Sequence, residues 1–252
     1  MNRAEQAEKT TKALYGGASA LGVTDPEFAA IKERLIYGEV YAEEKLSARL
    51  RELVILVVAT TNQTMNEVKR HTAAALACGV RPEEIKEAVY HCAPYIGLGK
   101  AENAVNEVNA VFAEKGIVLP LASGQTVTEE SRLLDGIAAQ KSIFGDQIDA
   151  MRAAAPENQK NIQDDLSACC FGDFYTRKFL PIHERELLTF AILASQGGCE
   201  GQVKAHVGGN ATVGNGKEVL LAALTVCLPY IGFPRTLNAL SCINEVLPEA
   251  KQ

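Results

Sequence analysis

The chain has no run of lysine or arginine, no CxxC pair and no apolar stretch that approaches bilayer-spanning length. Each absence removes a class of function. Without a basic stripe, nucleic acid is not an expected partner. Without about 20 consecutive apolar residues, neither is a membrane. The N-terminal MNRAEQAEKTTKALYGG is charged and lacks an apolar h-region. No secretory signal is predicted, and a cytoplasmic location is expected. The seven cysteines are odd in number, and several sit inside apolar runs such as AVYHCAPYIG and LTVCLPYIG. That pattern argues against a disulfide framework and for reduced thiols, most of them small core residues. There is also no glycine-rich phosphate loop and no metal-ligand cluster, so neither a metal nor an organic cofactor is expected.

What remains is an ordinary globular composition: 252 residues, 47% apolar and 22% charged, with a formal net charge of -6. That length allows one large domain or two small ones. Internal matches decide for a duplication. YGEVY at 37–41 answers FGDFY at 171–175, LREL at 50–53 answers EREL at 184–187, and His71 answers His206. Gly79 answers Gly214, and PYIGLGKAEN at 94–103 answers PYIGFPRTLN at 229–238. The offset is 134 before the first histidine and 135 from it onward. Constant order and offset define two repeats, 1–122 and 123–252, joined near LPLASGQTVTEE. A unit this long is a domain rather than a solenoid repeat. Such a pair mimics a dimer, which can associate further.

Helical signals recur in each half. Val68, Thr72, Ala75 and Leu76 follow helical spacing, with Gly79 as the candidate C-cap. Arg81-Pro82-Glu83-Glu84 has the proline and acids of a helix first turn. A further helix is predicted over Lys100–Lys115. LVILVVAT at 53–60 is ambiguous, because its β-branched residues also suit a buried strand, whereas its counterpart LLTFAILAS reads as helix. The predicted fold class is all-α, internally duplicated.

Two Glu–His pairs are the candidate chemistry. Glu52 precedes His71 by 19 residues, and Glu186 precedes His206 by 20. Two antiparallel helices joined by a short turn would bring each pair together. A carboxylate beside an imidazole orients the ring for general acid–base work. In the second half the histidine helix begins Gly197-Gly198-Cys199-Glu200-Gly201-Gln202. A thiol at a helix N-terminus is favoured as thiolate. Gln202 lies between Cys199 and His206 on one face. The first half has Thr64 and Glu67 at the corresponding positions.

REL, an apolar helix, a histidine-bearing helix and a PYIG turn leading into another helix together resemble the carboxymuconolactone decarboxylase superfamily. The resemblance covers most of the chain and implies the AhpD-like helical fold. That superfamily includes γ-carboxymuconolactone decarboxylases and AhpD-type alkylhydroperoxidases, the latter with CxxC followed by xxxH. Here Cys199 occupies the first cysteine position and Gln202 the second, so two-cysteine chemistry is not supported, whereas both Glu–His pairs fit. The resemblance implies cofactor-independent loss of CO2 from a small carboxylated lactone or related acid. Together with the duplication it implies a homo-oligomer, a ring of three chains.

Three functions follow. In the first, a carboxy-lyase, Glu186 and His206 manage protonation of the carbanion or enolate left by CO2. In the second, a thiol-dependent peroxidase or reductase of peroxiredoxin-like, antioxidant type, Cys199 is the nucleophile, with Cys169 or Cys170 or an external thiol to reset it. In the third, an oligomeric binding protein, the fold persists without the chemistry. The predicted catalytic set is Glu186, Cys199 and His206. Glu52, Thr64, Glu67 and His71 form a second candidate site, and Gln202, His183 and Tyr230 are candidate pocket residues. Each has a plain alternative. The glutamates can serve Arg51, Arg185 or a helix end, and the histidines can be hydrogen-bonded packing residues. His91, beside Cys92 on an apolar helix, reads as packed. Tyr95 and Tyr230 read as core or subunit contacts. Arg235 would suit a carboxylated substrate or a solvated helix start.

Overall fold

The computed structural model describes residues 1–15, 21–43 and 45–249. Its described residues are helices, turns and loops, as the all-α expectation requires. In the first repeat, α1 (Arg3–Tyr15), α2 (Leu21–Thr24) and α3 (Pro26–Glu33) lead into a π-helical turn at Arg34–Glu39. Then come α4 (Ala48–Thr61), α5 (Met65–Ala77), α6 (Pro82–His91), α7 (Ala93–Ile96) and α8 (Leu98–Glu114). In the second, α9 (Arg132–Phe144), α10 (Gln147–Ala154) and α11 (Lys160–Asp165) lead into π-helical Leu166–Tyr175. They are followed by α12 (Ile182–Gln196), α13 (Glu200–Thr212) and α14 (Lys217–Val246).

Local sequence explains the boundaries. Ser47 caps α4, its hydroxyl accepting from the Leu50 amide. Cys78 closes α5, and Gly79 follows at φ 78° with Val80 N donating to Ala75 O, a left-handed stop that glycine makes without strain. Pro82 opens α6, and the Glu84 carboxylate accepts from the Arg81 amide at 2.9 Å. Gly232, at φ 75°, breaks α14 where Gly97 separates α7 from α8. The repeats are therefore equivalent element by element. Even the packing of the π-helical turns recurs. A Cβ at Gly38 would collide with the Arg3 carbonyl, and one at Gly172 with the Arg132 carbonyl.

The ambiguous LVILVVAT segment is helical, and its position explains the ambiguity. Every residue from Glu52 to Thr60 is fully buried. α4 is packed by α5, α6, α8, α12 and α14 on all sides, so it has no polar face to impose a helical period. α12 is buried in the same way, and residues of both repeats share one continuous core.

One expectation fails. α14 is long and apolar enough to cross a membrane by length and composition, although no such stretch was expected. Its apolar side chains Leu220, Ala223, Leu224, Cys227 and Ile243 instead sit in the shared core, and the break at Gly232 divides it. The connection between the repeats is also more than a tether. Lys178 N donates to Gly124 O, and Thr126 Oγ1 to Thr176 O, which fastens it to the second repeat.

Candidate functional site

Each predicted Glu–His pair closes between the core helix and the helix that follows it. His71 on α5 donates from Nδ1 to Glu52 Oε2 on α4 at 2.7 Å. His206 on α13 donates from Nδ1 to Glu186 Oε2 on α12 at 2.9 Å. A third group, absent from the sequence reading, completes each pair. Tyr41 donates to Glu52 Oε1 at 2.7 Å, and Tyr175 to Glu186 Oε1 at 2.5 Å. These tyrosines are the last residues of the duplicated pentapeptides YGEVY and FGDFY. A tyrosine kept at both copies while its neighbours change was the available signal. Burial, and then the Glu186 charge, push the Tyr175 hydroxyl well above its ordinary pKa. It therefore stays a protonated donor that holds the carboxylate in place.

The tyrosines of the PYIG turns cross between repeats. Tyr95, from the first repeat, packs edge-on to His206 with ring centroids 6.3 Å apart, and its hydroxyl meets that of Tyr175 at 3.0 Å. Tyr230, from the second repeat, meets His71 Nε2 at 3.2 Å. Matching amides brace the crossing: Gln196 Nε2 donates to Tyr95 O, and Asn62 Nδ2 to Tyr230 O. Each Glu–His pair thus receives a tyrosine from the opposite repeat. Tyr230, expected at a pocket, belongs to the His71 cluster rather than the His206 one.

Beyond this shared frame the two clusters differ. At His71 both ring nitrogens are engaged. Nε2 faces Tyr230 and also lies 3.6 Å from Glu67 Oε2, while Glu67 Oε1 takes Lys32 Nζ at 2.5 Å. His71 is fully buried. Burial opposes its charge, but Glu52 and Glu67 override this and raise its pKa. In return Glu67 is held down to about 2, chiefly by its hydrogen bond with His71 and despite burial, with Lys32 adding to the effect. The cluster is a satisfied internal ion network. Thr64 stands apart from it as the residue before α5, its hydroxyl donating to Ala59 O.

His206 has Gln202 where His71 has Glu67, and it opens onto a cavity of about 660 Å³. Phe144, Ile148, Met151, Phe171 and Leu193 make the walls apolar, and Gln140, Gln147 and Gln202 supply amides. Pro94 and Tyr95 bring the first repeat to the rim. Among the described lining residues His206 alone can carry a positive charge. Behind Glu186 a hydroxyl network runs inward. Tyr175 meets Thr189 Oγ1 at 2.7 Å, and Thr189 meets His91 Nε2 at 2.9 Å. His91 is packed, as expected. Burial, and then Arg185, hold its pKa well below the ordinary value, so it is neutral. Val226 and Ile55 occupy the equivalent positions in the other cluster, which therefore lacks this extension.

The structure does not bring Cys199 into this cavity. It does precede α13, as expected, but its Sγ donates to Leu193 O at 3.4 Å and lines a separate narrow crevice with Arg235 and Cys242. Burial and the adjacent Glu200 raise its pKa. The expected helix-end thiolate is therefore reversed: partial burial and a neighbouring carboxylate outweigh the dipole. The thiol that does line the cavity is Cys170, pushed up to about 12 by burial. His183 is exposed outside the cavity, and its carbonyl accepts from Asn215. Arg235 donates to Ser195 O and Asn62 Oδ1, so it braces the inter-repeat contact instead of facing the His206 cavity. Arg185, an alternative partner for Glu186, pairs with Glu87 instead.

Comparison with known proteins agrees with this architecture. A 4-carboxymuconolactone decarboxylase of Acinetobacter baylyi is 31% identical over 91 residues, 36% of this chain and 68% of the relative. The crystal structure of a candidate gamma-carboxymuconolactone decarboxylase subunit from Burkholderia xenovorans superposes with a TM-score of 0.58 at 20% identity, covering 94% of each chain. That likeness speaks for the fold. Residues 26–110 and 161–245 each match the carboxymuconolactone decarboxylase family, one match within each half of the duplication. The chain belongs to the carboxymuconolactone decarboxylase family, in two tandem copies.

Proposed function

We propose that the chain is a cofactor-independent carboxy-lyase that removes CO2 from a small carboxylated lactone or related acid in the His206 cavity. The observation that carries this reading is an imidazole fixed through Nδ1 by Glu186 with Nε2 left over at an apolar cavity with no other cationic group among its described lining residues. A carboxylate in such a cavity loses hydration without gaining a guanidinium or ammonium partner. Its charge is then better accommodated once delocalised, which favours release of CO2. The bond to the departing carboxylate breaks, and its electron pair enters the conjugated lactone as an enolate. A proton from the His206 imidazolium is delivered to carbon, and solvent restores it. Glu186 stabilises the imidazolium, and Tyr175 holds Glu186.

The test is CO2 release from 4-carboxymuconolactone and a panel of related carboxylated lactones, by wild type and by His206→Ala. Loss of turnover in a variant with unchanged circular dichroism supports the proposal. Undiminished turnover overturns it. Saturable binding of these acids without CO2 release by the wild type would replace it with a binding role. That Cys199 lines a different crevice supports this reading over the thiol-dependent one.

A further inference from the structure

A second cavity of about 660 Å³ shares no lining residue with the His206 cavity. α6 contributes Lys86 and Tyr90, α8 contributes Asn109, and residues 119–123 of the connection together with Phe179 close the apolar side. Lys86 is 6% exposed, so its ammonium is held out of bulk water. Its hydrogen-bond acceptor is the neutral Asn109 Oδ1, and the Tyr90 and Phe112 rings lie 5.7 and 5.8 Å away. No carboxylate among the described residues forms an ion pair with it. Of the two carboxylates that line the cavity, Glu83 forms no ion pair with Lys86 and Glu87 is already taken. Glu87 accepts from Arg177 and from buried Arg185, both at 2.9 Å. Arg177 is therefore paired, while Lys86 has an amide oxygen and aromatic rings but no carboxylate against its charge. A buried charge without a partner is costly, and an anion placed beside it recovers that cost.

We propose that this cavity is a binding site for a small monocarboxylate with a flat apolar body, its carboxylate on Lys86 and its body between Tyr90 and the residues 119–123 wall. A single negative charge pairs with Lys86, whereas a second would share the cavity with Glu83 and Glu87. The site has no counterpart in the second repeat, where Leu221 stands at the position of Lys86. Its lysine is therefore particular to the first copy, and its lining is separate from that of the His206 cavity. Burial lowers the Lys86 pKa to about 8, which makes binding pH-sensitive in a range where benzoate itself stays ionised.

The experiment is calorimetric titration of the full chain with benzoate, using benzamide as the uncharged probe. The ammonium form binds, so affinity falls as pH rises past the Lys86 pKa. From about pH 7 to about pH 9.5 the expected weakening is about thirtyfold. Lys86→Met should abolish benzoate binding while leaving the protein folded, because it replaces a desolvated amine by an apolar side chain of similar length; thermal melting checks this. His206→Ala should bind benzoate as the wild type does. An affinity unchanged across that pH range, equal binding of benzamide, wild-type affinity in Lys86→Met, or binding lost in His206→Ala would each overturn the proposal. The last result would place benzoate in the other cavity, and it bears on the decarboxylase reading only through substrate competition there.

Discussion

The two Glu–His clusters share a skeleton and differ at its edges. Both have a tyrosine at the end of the π-helical turn or just after it, a carboxylate on a fully buried helix, a histidine on the next helix and a tyrosine from the opposite repeat. At His71 the remaining nitrogen is met by Tyr230 and Glu67, and Lys32 in turn pairs with Glu67. At His206 it is left over beside a cavity. The change from Glu67 to Gln202 accounts for much of this. Glu67 engages the imidazole and pairs with Lys32, whereas among the described residues no hydrogen bond joins Gln202 to His206, and Leu166 stands at the position of Lys32. Duplication thus allows one copy to keep an internal ion network and the other to place its histidine at a cavity.

The sharpest break of the comparison is by alanine at each histidine. His206→Ala is expected to lower CO2 release by about a hundredfold to ten-thousandfold, the usual worth of a general acid–base group. His71→Ala should leave turnover within about twofold but destabilise the protein by about 3–5 kcal/mol, because Glu52 and Glu67 lose a buried partner. Kinetics and thermal melting on both variants check this. Equal losses of activity would dissolve the distinction between the copies.

Next in size is the tyrosine behind Glu186. Tyr175→Phe removes a charge-assisted hydrogen bond of about 1.5–3 kcal/mol, and a drop in kcat of about tenfold is expected, with KM little changed. Tyr41→Phe, its counterpart, should alter melting temperature and leave kcat alone.

The pH dependence of stability sharpens the contrast further. Glu67 is depressed to about 2 from an ordinary 4.5. Its contribution is therefore full above 4.5 and lost as pH falls toward 2. His71 is raised above 6.5. Its contribution is present below 6.5 and lost as pH rises through the folded-state value. Glu67→Gln, which installs the residue type of the other copy, should flatten both limbs in urea titrations across pH. Unchanged limbs would show that the network around His71 does not carry them. The smallest expected effect is at Cys199. Cys199→Ser should leave CO2 release within about twofold, because its sulfur lies outside the His206 cavity and is not activated. A large loss would reinstate the thiol mechanism.

The sequence by itself determined the duplication, the helical class and both Glu–His pairs. Those features are written in order and spacing: matching motifs at a near-constant offset, cap residues at helix ends, and glutamate and histidine on adjacent helices. Tyr41 and Tyr175 were legible too, as the invariant last residue of a repeated pentapeptide, but their role became visible only where the folded chain sets each hydroxyl against its glutamate. Three things were decided only by tertiary structure. The crossing of Tyr95 and Tyr230 depends on packing one repeat against the other, and no spacing within a repeat encodes it. The fate of Cys199 turned on burial and on Glu200, not on its place before α13, because desolvation and a like charge outweigh a helix end. The cavities at His206 and Lys86 depend on which side chains from distant segments fail to fill a space. That is a property of the assembled surface, and a linear pattern of residues does not contain it.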